Sequence, residues 1–116
     1  LTDVTGVQTC ALPISPGSRD LVLKLKQMTE LTSEMLDQLS RKEVVEENSA
    51  KVKELKIEAE MLLLVLLGEV YERPVGSPDD LLEIIKWSHI YDRIEEAFAN
   101  AGNLANIIEG ITLKNA

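Results

Sequence analysis

Chemistry in this sequence would have to come from carboxylates, because other reactive side chains are scarce. His89 is the only histidine and Cys10 the only cysteine among 116 residues. No glycine-rich phosphate loop occurs. A serine triad would need Ser88 or a more distant serine, and no nucleophile elbow surrounds either. A ferritin-like di-iron site asks for a glutamate three residues before a histidine, and the residue three before His89 is Lys86. What remains is Glu54, Glu58 and Glu60 on one stretch, and Glu95 and Glu109 on another with Gly102 between them. Two helices side by side carrying these groups would offer oxygen ligands to a hard cation. The plainer reading of the same spacing is a solvated acidic face with occasional lysine pairs. His89, between Ser88 and Ile90, reads as a partly exposed helix residue.

The elements that must position these groups are helices. Over 20–39, Leu21, Leu25, Met28, Thr32, Met35 and Leu39 recur at steps of three and four, which gathers them on one face. Ser40-Arg41-Lys42-Glu43 has the spacing of a capping box and predicts that a second helix starts there. That helix continues through Val45, Ser49, Val52, Leu55, Ala59, Leu62, Leu66 and Val70 and ends before Pro74. If the short connector at Ser40 does not turn, one unbroken helix over 20–72 is the alternative. The run 61–67 is apolar on every side and so asks for burial on every side. Ser77-Pro78-Asp79-Asp80 is the strongest start signal: a serine cap, proline at the first helical position and two carboxylates at the positive end of the dipole. From Pro78 a third helix carries Ile84, Trp87, Tyr91, Ile94, Phe98, Ala101, Ala105, Ile108 and Ile111 on one face as far as Lys114. The expected fold is all-α: three long antiparallel helices with coiled-coil-like packing.

Composition agrees. The chain is 45% apolar and 28% charged, which suits one soluble domain. Twenty acidic against twelve basic residues give a net charge of -8, so a phosphate backbone is repelled and nucleic acid is not an expected partner. Only four residues are aromatic, and glycine and proline are sparse after Gly17, which argues against a many-stranded β-fold. No apolar run approaches the roughly 18 residues that span a bilayer. Residues 1–17 differ from the rest: they hold Cys10, two of the four prolines and two of the six glycines without helical periodicity. They have neither a basic n-region nor an apolar h-region, so they do not read as a signal peptide. The string Val4-Thr5-Gly6-Val7-Gln8-Thr9-Cys10-Ala11-Leu12-Pro13-Ile14 looks like a translated sequencing-adapter oligonucleotide. Residues 1–18 are accordingly assigned to a non-native, disordered leader and 19–116 to the domain. Without Cys10 the domain has no cysteine, which fits a reducing compartment.

The third helix carries a family resemblance. Ile85-Lys86-Trp87, Ile90-Tyr91, Ile94-Glu95 and the ending Asn103-Leu104-Ala105-Asn106-Ile107-Ile108-Glu109-Gly110-Ile111-Thr112-Leu113-Lys114-Asn115-Ala116 resemble the carboxyl-terminal helix of PhoU-like Pit accessory proteins, regulators of low-affinity phosphate transport. Helix two is similar more loosely through Leu55-Lys56-Ile57-Glu58-Ala59-Glu60. The resemblance covers residues 19–116 and corresponds to the second of the family's two three-helix repeats, so that the chain reads as a fragment lacking the first.

The resemblance implies a nonenzymatic, cytoplasmic regulator that binds a Pit-type phosphate permease, peripheral to the inner face of the plasma membrane. It implies divalent or ferric metal in intact relatives, held by acidic residues four apart. Lys56 stands at the first acidic position of that pattern with Glu60 at the second; Glu95 is retained, but Ala99 follows it, and Gly102-Asn103 replaces a further acidic pair. Lysine and alanine are not oxygen ligands, so the expected site is a degenerate remnant of Glu58, Glu60 and Glu95, with no cofactor. Two other readings stand beside this one, a generic helical interaction module and a carboxylate metalloenzyme. A bundle lacking its sister repeat exposes the face that met it, and the chain is expected to self-associate with a copy or to be poorly stable.

Overall fold

The computed structural model describes residues 16–114, which form three helices: α1 (Pro16–Ser40), α2 (Glu46–Tyr71) and α3 (Pro78–Lys114). Side-chain ties fix their directions. Lys24 meets Glu58 and Asn48 meets Glu34 and Gln38, so α1 and α2 run antiparallel. Lys53 meets Glu109 and Tyr71 meets Ser88, so α2 and α3 do the same. Ser18 meets Tyr91, at matching ends of the parallel α1 and α3. The result is an up-down-up bundle of 59 × 28 × 17 Å, as long as its longest helix at about 1.5 Å per residue. Among the described residues there is no strand, and no helix is long and apolar enough to cross a membrane.

The core follows the three- and four-residue steps. Leu21, Met28 and Met35 from α1, Val52, Ala59, Leu63, Leu66 and Val70 from α2, and Ile84, Tyr91, Phe98, Ala105 and Ile108 from α3 are buried. Ala59 and Ala105, both wholly buried, are small residues at α2 and α3 positions that a bulkier side chain would force apart. The tyrosine keeps its hydroxyl satisfied inside the core by a 2.7 Å hydrogen bond with Ser18. On the other seam Asn48 donates from Nδ2 to Glu34 and Gln38, 3.0 Å each, and ties the start of α2 to the last turns of α1.

The connector at Ser40 corrects the expected start of α2. Ser40-Arg41-Lys42-Glu43 closes α1 instead of capping α2. The Ser40 hydroxyl donates back to the Asp37 carbonyl at 2.7 Å. Glu43 N–H reaches the Gln38 carbonyl and Lys42 N–H the Leu39 carbonyl, the paired bonds of a Schellman ending, with Lys42 in the left-handed position at φ 59°. Ser40 stands six residues before Glu46, the first residue of α2, too far to cap its amides, so the sequence signature is satisfied by the wrong end. The unbroken-helix alternative is excluded by the same turn. α2 then begins at Glu46 without a side-chain cap, helped by Glu46 and Glu47 in its first turn. A lysine at positive φ is strained, and Lys42→Gly is expected to stabilise the chain by about 1 kcal/mol in chemical denaturation.

The start of α3 is as expected. Asp80 N–H donates to the Ser77 hydroxyl, and the Asp80 carboxylate accepts from Gly76 N–H at 2.9 Å, closing the cap from both sides. α1 reaches further back than expected. Pro16, Gly17 and Ser18, assigned to the leader, are its first helical residues, and Ser18 is buried. Gly17 stands so close to α2 that a Cβ there would meet Leu66 Cδ2 at 2.7 Å. The rest of the leader assignment, Cys10 included, lies outside the described residues.

Candidate functional site

The carboxylates singled out from the sequence lie on two different seams. Glu58 faces α1, where its Oε1 accepts a 2.9 Å hydrogen bond from Lys24 Nζ; Asp20 lies 3.8 Å from the same ammonium. The Glu58 bond, more than the nearby Asp20 charge, holds the Lys24 pKa above its ordinary 10.5. Glu60 comes one turn after Lys56, and Glu95 two turns before Gly102, so helical geometry sets both on the α2–α3 seam. Both are exposed. The structure therefore separates Glu58 from the other two.

Lys56 and Gly102 define the middle of that seam. A Cβ at position 102 would stand 2.9 Å from Lys56 Cδ, so the lysine methylenes occupy the space a side chain there would need. Its stem covers the buried glycine. A lysine on one helix and a glycine on the other thus pack as a pair where two helices of acids would converge on a cation. One turn away Lys53 Nζ donates to Glu109 Oε1 at 3.0 Å. Among the described residues, no group of three histidine, cysteine, aspartate or glutamate side chains gathers as a metal ion would require. The residues present do not fit the metal that the resemblance implies: one carboxylate is turned to another seam and bonded to lysine, and the centre is filled by a cation's stem.

The Lys53 hydrogen bond holds the Glu109 carboxyl below its ordinary 4.5, against the opposing effect of burial. A carboxyl with a lowered folded-state pKa adds stability at pH values above its unfolded pKa and loses it as acid protonates the folded form. The stability difference between the native chain and Glu109→Gln is expected to be a few tenths of a kcal/mol above about pH 5, and to close as the pH falls below the ordinary carboxylate value. Denaturant titrations at a series of pH values measure it.

A groove of about 540 Å³ opens at the same end of the bundle, between the α1–α2 turn and the last turns of α3. Three glutamates border it, Glu43, Glu46 and Glu109. Arg41 neutralises the first, through a hydrogen bond that lowers its pKa, and Lys53 the last. At the opposite end, the Trp87 and Tyr91 rings meet tilted by 39° with centres 5.8 Å apart, and Lys86 lies 5.9 Å over the indole. His89 is exposed, and the neighbouring Ser88 hydroxyl is hydrogen-bonded to Tyr71 at 2.7 Å.

The larger feature is apolar. The run 61–67 is not buried on all sides: Leu63 and Leu66 are in the core, whereas Met61, Leu64 and Val65 are 64%, 72% and 58% exposed. Three helices bury one face of α2, and nothing among the described residues covers its outer face. A second patch lies where the first turns of α3 run past the Tyr71–Ser88 contact. There Leu81, Leu82 and Ile85 are exposed, as are Tyr71 and Val75 just before α3, with Glu72, Asp79, Asp80 and Lys86 as their exposed charged neighbours in sequence. Sequence reasoning missed this patch because Leu81, Leu82 and Ile85 lie off the periodic stripe; a count of apolar residues outside the stripe would have found them. No family model, curated protein or solved structure matches the chain.

Proposed function

We propose that the chain is a docking module of the PhoU-like kind: one three-helix repeat that binds the cytoplasmic side of a Pit-type phosphate permease and regulates it without catalysing a reaction. The observation that carries this reading is the apolar patch of Leu81, Leu82 and Ile85, set among acids on a chain of net charge -8. Cytoplasmic loops of membrane transporters carry an excess of lysine and arginine. An acidic rim around an apolar centre complements such a loop and is repelled by anionic lipid and by nucleic acid. The ending of α3, over which the family resemblance is strongest, supports the same assignment. On this reading the Lys56–Gly102 seam needs no resident metal, and the protein works in the cytoplasm at the inner membrane face.

The test is capture of the permease by this protein, together with phosphate uptake after its deletion. Capture that weakens with rising salt and is lost in Leu82→Asp, with altered uptake, supports the proposal; no association and unchanged uptake overturn it. A generic interaction module is the second reading, favoured by the exposed half of 61–67. It predicts that function survives Glu60→Ala with Glu95→Ala and is lost on polar substitution at Leu64. The metalloenzyme reading requires stoichiometric iron, manganese or zinc in the purified protein.

A further inference from the structure

Two polar ties fasten α1 to α2, and they stand far apart. Lys24 meets Glu58 toward one end of the seam, and Asn48 meets Glu34 and Gln38 toward the other. Between Lys24 and Glu34 on α1, and between Asn48 and Glu58 on α2, each helix runs about 15 Å with no further hydrogen bond or ion pair across the seam among the described residues. A groove of about 530 Å³ opens there. Leu31 and Leu55, both half-buried against the core, form its floor. Glu30 and Glu34 border it on α1, and Glu54 and Lys51 on α2, all four exposed. Glu30 and Glu34 lie one turn apart, where like charges repel. The side chains of Glu30, Glu54 and Lys51 have no ion pair or hydrogen bond among the described residues. Glu34 receives only the neutral amide of Asn48, which leaves its charge in place. The groove thus sets three negative charges against one positive around an apolar floor.

We propose that this groove seats a basic amphipathic helix of a partner protein. A helix laid along the seam of two others packs its ridge of side chains into their groove, and the length between the two ties takes about three turns of it. Aliphatic side chains three or four residues apart on the incoming helix rest on Leu31 and Leu55, as anchors do in helix-in-groove recognition. Lysine or arginine on either side of those anchors reaches Glu30 and Glu34 on one rim and Glu54 on the other, with the methylene stems covering the floor. The excess of negative charge disfavours the other occupants. An acidic helix, a phosphate backbone and an anionic lipid surface are all repelled, and among the described residues no three carboxylates gather as a metal ion would require. Lys51 is the one charge set against a basic helix, so it limits how tightly such a partner binds. The groove lies on the α1–α2 seam, away from the α3 patch assigned to the permease, and does not depend on that assignment.

The test is fluorescence anisotropy with two labelled peptides of about 14 residues, four helical turns, that share one leucine spacing and carry either lysine or glutamate at the other positions. Each is titrated with the full 116-residue chain at low and at physiological salt. The lysine peptide is expected to bind one to one and more weakly as salt rises; the glutamate peptide is expected not to bind. Glu30→Gln with Glu54→Gln weakens binding of the lysine peptide about tenfold, and Lys51→Glu tightens it. Glu69→Gln with Glu96→Gln removes the same charge elsewhere on the surface and leaves binding unchanged, as does Leu82→Ser on the α3 patch. All these positions are exposed, and circular dichroism checks that each variant keeps its helicity. Absence of saturable binding overturns the proposal, as do equal binding of both peptides, equal losses in the two glutamine pairs, or loss of binding in Leu82→Ser. Failure of the permease reading would appear in the capture experiment and leave these titrations unchanged.

Discussion

Leu63→Glu is expected to unfold the chain, while Leu64→Glu leaves its unfolding midpoint nearly unchanged in dilute solution. The two leucines are neighbours in an apolar run, yet Leu63 is 1% exposed and Leu64 72%. A carboxylate at position 63 would enter the core among Leu66, Ala59 and Phe98 side chains of the same cluster, with no cation to receive it. Removing the leucine alone costs about 2–5 kcal/mol, and desolvating a charge adds to it. The sum exceeds about 4 kcal/mol, a loss that small domains with 5–15 kcal/mol in hand rarely survive at physiological temperature. At position 64 the same carboxylate stays in water, and surface substitutions of this kind change stability by about 0.5 kcal/mol or less. Thermal melts read by circular dichroism, at concentrations below self-association, check both. Equal losses at the two positions would mean that α2 is rotated from the orientation described.

Phe98→Ala is expected to be the costliest simple truncation. Phe98 is the largest of the fully buried side chains, midway along α3 and level with the middle of both other helices. Phenylalanine-to-alanine changes in cores cost about 3–5 kcal/mol, part transfer and part cavity. For a bundle of this size that lowers the thermal midpoint by at least about 12 °C. Ile111→Ala, on the same helix but 40% exposed, provides the contrast and should fall well short of it. If Phe98→Ala melted like Ile111→Ala, the bundle would not be closed around the α3 stripe.

Helix existence was legible because each stripe is long and its period unambiguous. Leu21, Met28 and Met35, or Tyr91, Phe98 and Ala105, fall within a narrow arc of one face, and no other secondary structure buries them together. Ser77-Pro78 was legible because its cap chemistry has one local solution. Ser40 was not, since the same four residues close one helix as well as they open another, and only the direction taken by Lys42 distinguishes the two. The candidate carboxylates show the same limit. Spacing set Glu60 and Glu95 on faces able to meet, but it could not tell that Glu58 would turn to Lys24, or that Lys56 would lie over Gly102. Those contacts join residues 34 and 46 positions apart, and pairings at such distances depend on how helices rotate against one another.

By itself the sequence determined that this protein is helical, where its third helix starts, most of the residues that line each inner face, and that its charge is strongly acidic. These are properties of nearest neighbours along a helix and of composition, and they need no knowledge of partners. The sequence left open whether 20–72 is one helix or two, and its stripe ran through Leu62 where the structure buries Leu63. Tertiary structure decided which apolar residues stay outside. Three helices have only so much inner face, so a run apolar all round must leave Met61, Leu64 and Val65 in water. It also decided which acids are spent on lysines, because that depends on the rotation of α2 between its two neighbours, a choice made by the packing of the whole core and by no single stretch of chain.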